Sequence, residues 1–275
     1  MEENKDEKET KEKKMKCCSS EERLVYDELI RPYSTKKSKE ESFKERSRTG
    51  TSMSERSLIY GEIEFDPFSE ALKKIEKEYG GLRSQDGKLR FVDLGSGTGK
   101  AVFAAALCHP FEVCSGVEIV KSLHDIAVKM LKDFEKNVRN STRVPSFVKN
   151  TKIELVCGDA TKFDLSNIDL VFMCSTVFDF ALMSKLARAA GVMRVGTFMI
   201  TLSKDLPCAN WKVLERSTRF ASWGGATVII QRKMRDGHVP KSKYFCRRED
   251  ASYKPAGSKS IFDEIKELKG LTKKV

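Results

Sequence analysis

The sequence predicts an α/β domain with a mostly parallel, seven-stranded sheet that ends in an antiparallel C-terminal hairpin. Short apolar runs alternate with helical stretches, a glycine-rich turn joins the first strand to a helix, and the last strands follow one another without a helix between them. Strands that alternate with helices imply right-handed crossovers and parallel pairing. A chain of 275 residues is long enough for one such domain plus flanking segments.

The elements are expected in a regular order along the chain. A helix over 67–79 has Asp66 before it, Pro67 in its first turn, and Gly80 and Gly81 as its stop signal. Apolar periodicity predicts further helices over 100–107, 122–140 and 180–190. Seven strands are expected at 89–94, 112–119, 153–156, 170–174, 196–202, 211–217 and 226–231.

The composition divides the chain into three regions. Residues 1–51 are mostly Lys, Glu, Ser and Arg, which predicts a disordered region with one short helix near 21–30. Residues 52–231 carry the apolar content and form the expected folded domain. Residues 232–275 hold 13 basic and 6 acidic residues, a net charge of +7, and are interpreted as a basic C-terminal tail. This charge suits a polyanionic partner, although a solvated tail that aids solubility explains it equally well.

The cysteines and the apolar runs exclude two classes of protein. Eight cysteines include no C-x-x-C pair and no paired Cys/His spacing, so we expect no metal site. No apolar run approaches the roughly twenty residues that a membrane span needs. We therefore expect a soluble, intracellular protein that does not associate with membranes.

A glycine-rich turn between the first predicted strand and its helix carries the strongest functional signal. Gly95, Gly97 and Gly99 allow a sharp turn and a close approach of the backbone to a ligand, which indicates a nucleotide-type cofactor. The third glycine comes one residue too early for the dinucleotide pattern, and Asp93 opens the turn. A carboxylate there repels a pyrophosphate and attracts the ammonium group of S-adenosylmethionine, which carries no phosphate.

Two further acids follow the next two predicted strands. Glu118 ends the second strand, where a carboxylate can accept both ribose hydroxyls, and Asp159 follows the third strand, where it can contact the adenine amino group. Each acid taken alone is also explained as an ordinary loop acid or helix cap. Three acids at three successive strand ends favour a Rossmann-like class I methyltransferase domain over residues 52–231.

The chain resembles the disruptor-of-telomeric-silencing family, the non-SET histone H3 lysine methyltransferases. The resemblance covers about 58–231, and its most specific part is the order and spacing of Tyr60, Gly61 and Glu62 before the glycine turn. The matching residues are Tyr60 to Glu62, Phe65, Phe91 to Gly97, Gly116 to Glu118, Gly158, Asp159, Ser222 and Trp223.

This resemblance implies a set of site residues. The segment Tyr60, Gly61, Glu62 and Ile63 is expected to lie across the methionine end of the cofactor. The other implied cofactor contacts are Asp93, Gly95, Ser96, Gly97, Lys100, Glu118, Asp159 and Ala160. The implied catalytic residues are Tyr60, Glu62, Ser175, Phe178 and Trp223, of which Phe178 and Trp223 form an apolar channel for the lysine. Core packing is the alternative explanation of those two aromatic residues.

The resemblance also implies a substrate, a partner and a location. We expect methyl transfer to histone H3 in nucleosomes, with the basic tail bound to DNA phosphates, and hence a nuclear chromatin regulator. This sequence departs from the family pattern at Ile63, Lys100, Ser175 and Ile230, where the family has threonine, glutamine, asparagine and tyrosine. Two other hypotheses stay open: a methyltransferase of the same fold acting on a nonhistone lysine or a small molecule, and an inert scaffold that binds nucleic acid.

Overall fold

A computed structural model of the chain describes residues 20–49, 63–221 and 224–241. Six α-helices lie in these ranges: α1 (Ser20–Ile30), α2 (Thr35–Thr49), α3 (Phe65–Glu78), α4 (Lys100–Cys108), α5 (Lys121–Asn137) and α6 (Phe180–Ala189). Seven strands accompany them: β1 (Arg90–Leu94), β2 (Val113–Glu118), β3 (Lys152–Cys157), β4 (Leu170–Met173), β5 (Phe198–Leu202), β6 (Trp211–Ala221) and β7 (Gly224–Lys233).

The strands form one sheet in the order β3-β2-β1-β4-β5-β7-β6. Strands β1 to β5 pair with one another in parallel, whereas β7 is antiparallel to both β5 and β6. This arrangement confirms the predicted fold class, including the antiparallel C-terminal hairpin. The direction of strand order reverses at β1, which pairs with β2 on one side and β4 on the other, so a ligand crevice is expected at the carboxyl ends of these strands.

Two apolar cores cover the two faces of the sheet. Side chains alternate along β1, so Phe91 belongs to the core that includes α3 and α4, and Val92 belongs to the core beneath α6. Helix α4 is buried along its whole length, which explains its alanine-rich sequence. Helix α3 starts at Phe65, two residues before the predicted start, and Gly80 and Gly81 follow it with φ of +87° and +73°.

The expected disorder of residues 1–51 is wrong for residues 20–49. The short helix expected near 21–30 is α1, which buries Val25, Tyr26 and Leu29 in the core. The second helix, α2, has a polar sequence and packs through its small side chains, Ser38 and Ser42. The apolar content of the sequence does not predict α2, because polar contacts hold this helix against the rest of the domain. The predictions for 1–19, 50 and 51 lie outside the described residues.

The expected boundary between the domain and the basic tail at residue 232 is also wrong. Arg232 and Lys233 belong to β7, and residues as far as Lys241 pack on the segment before β6. Lys233 is fully buried, and its ammonium group donates to the carbonyls of Ala190, Gly191 and Met193, just beyond the end of α6. Burial lowers the pKa of Lys233. This lysine therefore serves the fold and is not available to a polyanion.

Candidate active site

The glycine turn after β1 lies at the crevice that the sheet topology predicts. The N–H groups of Gly95 and Ser96 donate to the carbonyl of Val117 on β2, at 2.9 and 3.0 Å. Gly95, Gly97 and Gly99 have φ of +85°, +55° and +83°, a region that L side chains disfavour. The turn is thus tied to β2, and its glycines are required by its backbone.

Phe178 lies directly against this turn. A Cβ atom added to Gly95 would be 3.1 Å from Cζ of the Phe178 ring, closer than an ordinary contact. Phe178 follows a 3-10 turn at the end of β4 and is half-buried at the edge of the core beneath α6. The structure therefore brings the predicted channel aromatic and the predicted cofactor turn together.

Glu118 links the glycine turn to the start of α5. Its carboxylate accepts from the N–H of Gly97 through Oε2 and from the N–H of Val120 through Oε1, each at 2.7 Å. The residue is 7% exposed, and burial raises the pKa of this carboxyl despite those bonds. A carboxylate has about four acceptor positions, so Glu118 retains capacity for ligand hydroxyls.

Asp159 is half-buried after β3 and caps a short 3-10 turn. Its Oδ1 accepts from the N–H and the hydroxyl of Thr161, at 2.9 and 2.8 Å. Burial raises the pKa of Asp159, but the Thr161 hydrogen bonds and the charges of Lys162 and Lys185 lower it further, so the net shift is downward. Asp159 therefore caps this turn through Oδ1, whereas its Oδ2 makes no hydrogen bond to the described residues.

The third acid, Asp93, lies in β1 and is 3% exposed. It pairs in register with Gly116 of β2, while Glu118 pairs with Cys157 of β3 two residues before Asp159. The three acids therefore stand at the carboxyl ends of three adjacent parallel strands. Such a set favours a cationic, hydroxyl-bearing ligand and disfavours a phosphate.

Other predicted cofactor residues have more varied positions. Ser96 is buried in the turn, and Ala160 is half-buried directly after Asp159. Lys100 is buried as the first residue of α4, and its ammonium group donates to Oγ1 of Thr35 at 3.1 Å. Ile63 has its side chain in the core beside Phe65, so only its backbone remains for a cofactor.

Comparison with a protein-family model identifies the family of the chain. A family model described as "Histone methylation protein DOT1" matches residues 49–221. The chain belongs to the DOT1 family. It is therefore an S-adenosylmethionine-dependent methyltransferase directed at histones, with lysine as the residue that this family methylates.

Two solved structures that are similar to the chain at low sequence identity are described as RNA methyltransferases. An RNA methyltransferase from Salinibacter ruber in complex with S-adenosyl-L-homocysteine is 19% identical with a TM-score of 0.45, over 64% of this chain and 94% of that chain. A putative RNA methyltransferase from Pyrococcus horikoshii is 18% identical with a TM-score of 0.45, over 72% and 99%. No curated protein matches the chain.

The residues at the crevice fit the DOT1 cofactor. The turn requires glycine at Gly95, where a side chain would meet Phe178, and acids at three adjacent strand ends suit a cationic ligand that bears hydroxyls, as S-adenosylmethionine does. Tyr60, Gly61, Glu62 and Trp223 lie outside the described residues, so their expected roles stay predictions.

Ser175, which the resemblance implies as a catalytic residue, is bonded to the backbone of the next strand. Ser175 is fully buried, and its hydroxyl donates to the carbonyl of Leu202 at 2.6 Å and lies 3.1 Å from that of Lys204. These bonds join the end of β4 to the end of β5. The hydroxyl of Ser175 is therefore bonded within the protein, and its expected catalytic role stays a prediction.

The structure adds residues that sequence reasoning missed. Ile119 is 42% exposed directly after Glu118, and Val156 is 41% exposed on the adjacent strand, so an apolar surface borders the acids. The signal in the sequence for Ile119 was its position as an apolar residue directly after an acid that ends a strand. Ser203 has a φ of +68° at the end of β5, and its hydroxyl lies 3.0 Å from that of Thr176. Nothing in the sequence indicates this strained backbone.

The described ranges lack the features of two other kinds of site. No group of three His, Cys, Asp or Glu side chains is placed to hold a metal ion there. Within the same ranges, none of the helices has the length and apolar content to cross a membrane. His109 has a buried carboxylate partner, Glu76, at 3.0 Å. That pair lies near the end of α4, at the opposite edge of the sheet from the glycine turn.

Proposed function

We propose that this chain methylates a lysine of histone H3 within the nucleosome, with residues 20–241 as its catalytic domain. Membership of the DOT1 family supports the histone substrate. The observation that supports methyl transfer most is the bond between Glu118 and the N–H of Gly97, which places a strand-end acid beside the glycine turn.

Three acids and one turn hold the cofactor in this proposal. Asp93 faces its ammonium group, Glu118 accepts its ribose hydroxyls, and Asp159 accepts its adenine amino group through Oδ2. Ile119 supplies apolar contact to the adenine ring. S-Adenosylmethionine supplies an electrophilic methyl group bound to a positively charged sulfur.

The chain contributes alignment and the exclusion of water. An in-line displacement requires the lysine nitrogen, the methyl carbon and the sulfur to be collinear, so catalysis depends on orientation. Phe178 against Gly95 limits the space beside the reacting centre. Tyr60, Glu62 and Trp223 are expected to complete the lysine channel, with the segment that ends at Ile63 over the cofactor.

The lysine must lose its proton before it reacts. An apolar channel formed by Phe178 and Trp223 disfavours the charged ammonium and lowers the pKa of the substrate lysine by up to a few units. Ser175 is not a general base for this step because a neutral hydroxyl is too weak a base to take a proton from an ammonium group. Desolvation by the channel therefore replaces a dedicated general base.

The basic residues beyond 241 provide the expected contact with nucleosomal DNA. Residues 242–275 contain 9 basic and 5 acidic residues. Lysine and arginine side chains there would neutralise phosphates without reading the DNA sequence. Action on chromatin would place the protein in the nucleus.

A methyl-transfer assay tests the proposal. Full-length protein and S-adenosylmethionine labelled in the methyl group are incubated with nucleosomes, with free histone H3 and with total cell extract. We expect labelling of H3 in nucleosomes and much less labelling of free H3. Labelling of another protein in the extract, with none of H3, would favour the nonhistone substrate. No labelling in any sample would favour the inert scaffold.

A further inference from the structure

Helix α2 is a polar helix that bridges the two helices beside the glycine turn. Phe43 is the only large apolar residue in its sequence, and its buried face contains Ser38 and Ser42. Burial of apolar area contributes roughly 25 cal/mol per Å², so a serine face stabilises the docked helix little. The position of α2 therefore depends on its polar contacts.

Glu45 of α2 makes two of these contacts at the start of α5. Its Oε1 accepts from the N–H of Lys121 at 3.0 Å, and its Oε2 accepts from the N–H of Ser122 at 2.6 Å. Burial raises the pKa of Glu45, but the bonds from Ser122 and Lys121 outweigh burial and lower it overall. The residue before α5, Val120, has no side chain that can cap it. Glu45 thus caps α5 from a separate helix.

This cap adjoins the turn that carries Glu118. Glu118 accepts from the N–H of Val120, and Glu45 accepts from the next two N–H groups. Carboxylates therefore hold three consecutive N–H groups of one turn, and the other oxygen of Glu118 holds Gly97. At its opposite end, α2 contacts α4 through Thr35 and Lys100. A shift of α2 would move the start of α5, to which the Glu118 carboxylate is bonded.

We propose that Glu45 is a positioning residue for the cofactor site, which couples the docking of α2 to cofactor binding. The inference rests on the proposed function, because the cofactor is the ligand that Glu118 is positioned to hold. The docking contact at Glu45 and the cofactor contact at Glu118 both involve the start of α5. If docking changes the affinity for the cofactor, the cofactor changes the stability of docking by the same factor. Docked α2 strengthens cofactor binding, and bound cofactor stabilises docked α2.

Calorimetry on the full chain with S-adenosylmethionine tests the first direction. We expect Glu45→Ala to weaken binding about tenfold, within the roughly 5- to 150-fold range of such couplings. Glu45→Gln keeps one acceptor oxygen and loses the charge, so its affinity for S-adenosylmethionine should lie between those of the wild type and Glu45→Ala. The matched control is Glu41→Ala, one turn earlier on α2, where Glu41 is half-exposed and pairs with Lys44 of the same helix. This control should bind as the wild type does.

Kinetics distinguish positioning from a general loss of structure. With nucleosomes as substrate, Glu45→Ala should raise the KM for S-adenosylmethionine about tenfold and leave kcat at saturating cofactor close to wild type. A partly unfolded variant would instead lose kcat, and circular dichroism with a thermal melt would reveal it.

Hydrogen exchange tests the reverse direction. Bound cofactor should slow exchange of the α2 amides in the wild type and in Glu41→Ala, and slow it much less in Glu45→Ala. Equal cofactor affinity of Glu45→Ala and the wild type would overturn the coupling alone. Failure of the wild type to bind S-adenosylmethionine would overturn the proposed function. In that case, the amide hydrogens of Gly97 and Val120 would still test the positioning role. Equal exchange rates of these amides in Glu45→Ala and the wild type would overturn it.

Discussion

Gly95 meets two separate requirements at the cofactor turn, one from its backbone and one from its neighbour. Its φ of +85° is strained for any L side chain, and its missing Cβ leaves space for the Phe178 ring. Gly87 shares the first requirement, with φ of +78°, but has no atom within 4 Å of its absent Cβ. These two glycines therefore separate backbone strain from steric contact.

Alanine substitution at these glycines gives the first prediction. A left-handed alanine costs about 1–2 kcal/mol, so Gly87→Ala should lose that much unfolding free energy. Gly95→Ala should lose more and should also lose S-adenosylmethionine binding, because Phe178 must move. Urea denaturation and calorimetry measure the two effects. Equal losses of stability with intact binding in both variants would show that Phe178 does not constrain the turn.

The second prediction concerns Glu118. Hydrogen bonds to a charged group contribute roughly 1.5–3 kcal/mol each, so Glu118→Ala should weaken S-adenosylmethionine binding by on the order of 100-fold. The control is Glu112→Ala, directly before the same strand and half-exposed beside Lys88. Unchanged affinity of Glu118→Ala, measured by calorimetry, would remove Glu118 from the ribose site.

Residue roles were predictable where the strand pattern determines them. Asp93, Glu118 and Asp159 stand at strand ends, and strand ends follow from apolar runs in the sequence. The orientation of Ser175 was not predictable, because the carbonyls that bind its hydroxyl come from 27 and 29 residues further along the chain. The partner of His109 was missed for the same reason, since Glu76 lies on another helix.

At the scale of elements, the Glu76 and His109 pair joins α3 to the end of α4. Both side chains are 8% exposed, and Glu76 also accepts from the N–H of Leu82 at 3.1 Å. Burial raises the pKa of Glu76, but these hydrogen bonds outweigh burial and hold it below its usual value of 4.5. The ionised carboxylate therefore stabilises the contact between the two helices.

The third prediction follows from the sign of that shift. A carboxyl with a lowered pKa stabilises the folded state at pH above its unfolded pKa of about 4.5, and this stabilisation is lost as the pH falls towards the folded pKa. The melting temperature of the wild type should therefore fall below pH 4.5 more steeply than that of Glu76→Gln. Glu78→Gln, exposed on the same helix, should follow the wild type. Parallel curves for all three would exclude the stabilising role.

Elements were predictable in proportion to their apolar content. The seven strands and the helices with an apolar face appear near their expected positions, since periodicity reports burial directly. Helix α2 was not predicted, because its serine face has no apolar periodicity and Glu45 docks it through residues 76 and 77 positions further along the chain. The domain boundary predicted at residue 232 was wrong because the sequence does not distinguish a buried lysine such as Lys233 from an exposed lysine of a basic tail.

At the scale of the whole molecule, the described part of the chain ends at Lys241, close to the candidate active site. The basic residues of 242–275 follow from this point. Lys241 pairs with Asp205, which follows β5 and also pairs with Arg216 at 3.2 Å. Lys204, the preceding residue, donates to the carbonyl of Phe178 at 2.8 Å. The segment beyond 241 therefore starts near the loops that position Phe178.

The fourth prediction concerns DNA binding by that segment. Lys241 is occupied by Asp205, so the candidate phosphate contacts are Lys243, Arg247, Arg248, Lys254 and Lys259. With about −0.9 per contact, five contacts give a slope of roughly −4.5 for the logarithm of nucleosome affinity against the logarithm of salt concentration. A truncation after Lys241 should lose this slope and leave S-adenosylmethionine affinity unchanged. Nucleosome binding equal to that of the full chain would identify the segment as a solubility feature.

The position of β7 in the sheet determines when the domain can fold during synthesis. β7 lies between β5 and β6 although it follows both in the chain, so β6 has no partner in the sheet until residue 233 has been made. Before that point, the nascent chain exposes one edge of β5, and an unpaired edge invites pairing with other chains. The completion of β7 is therefore the step that joins β6 to the sheet and covers the open edge of β5.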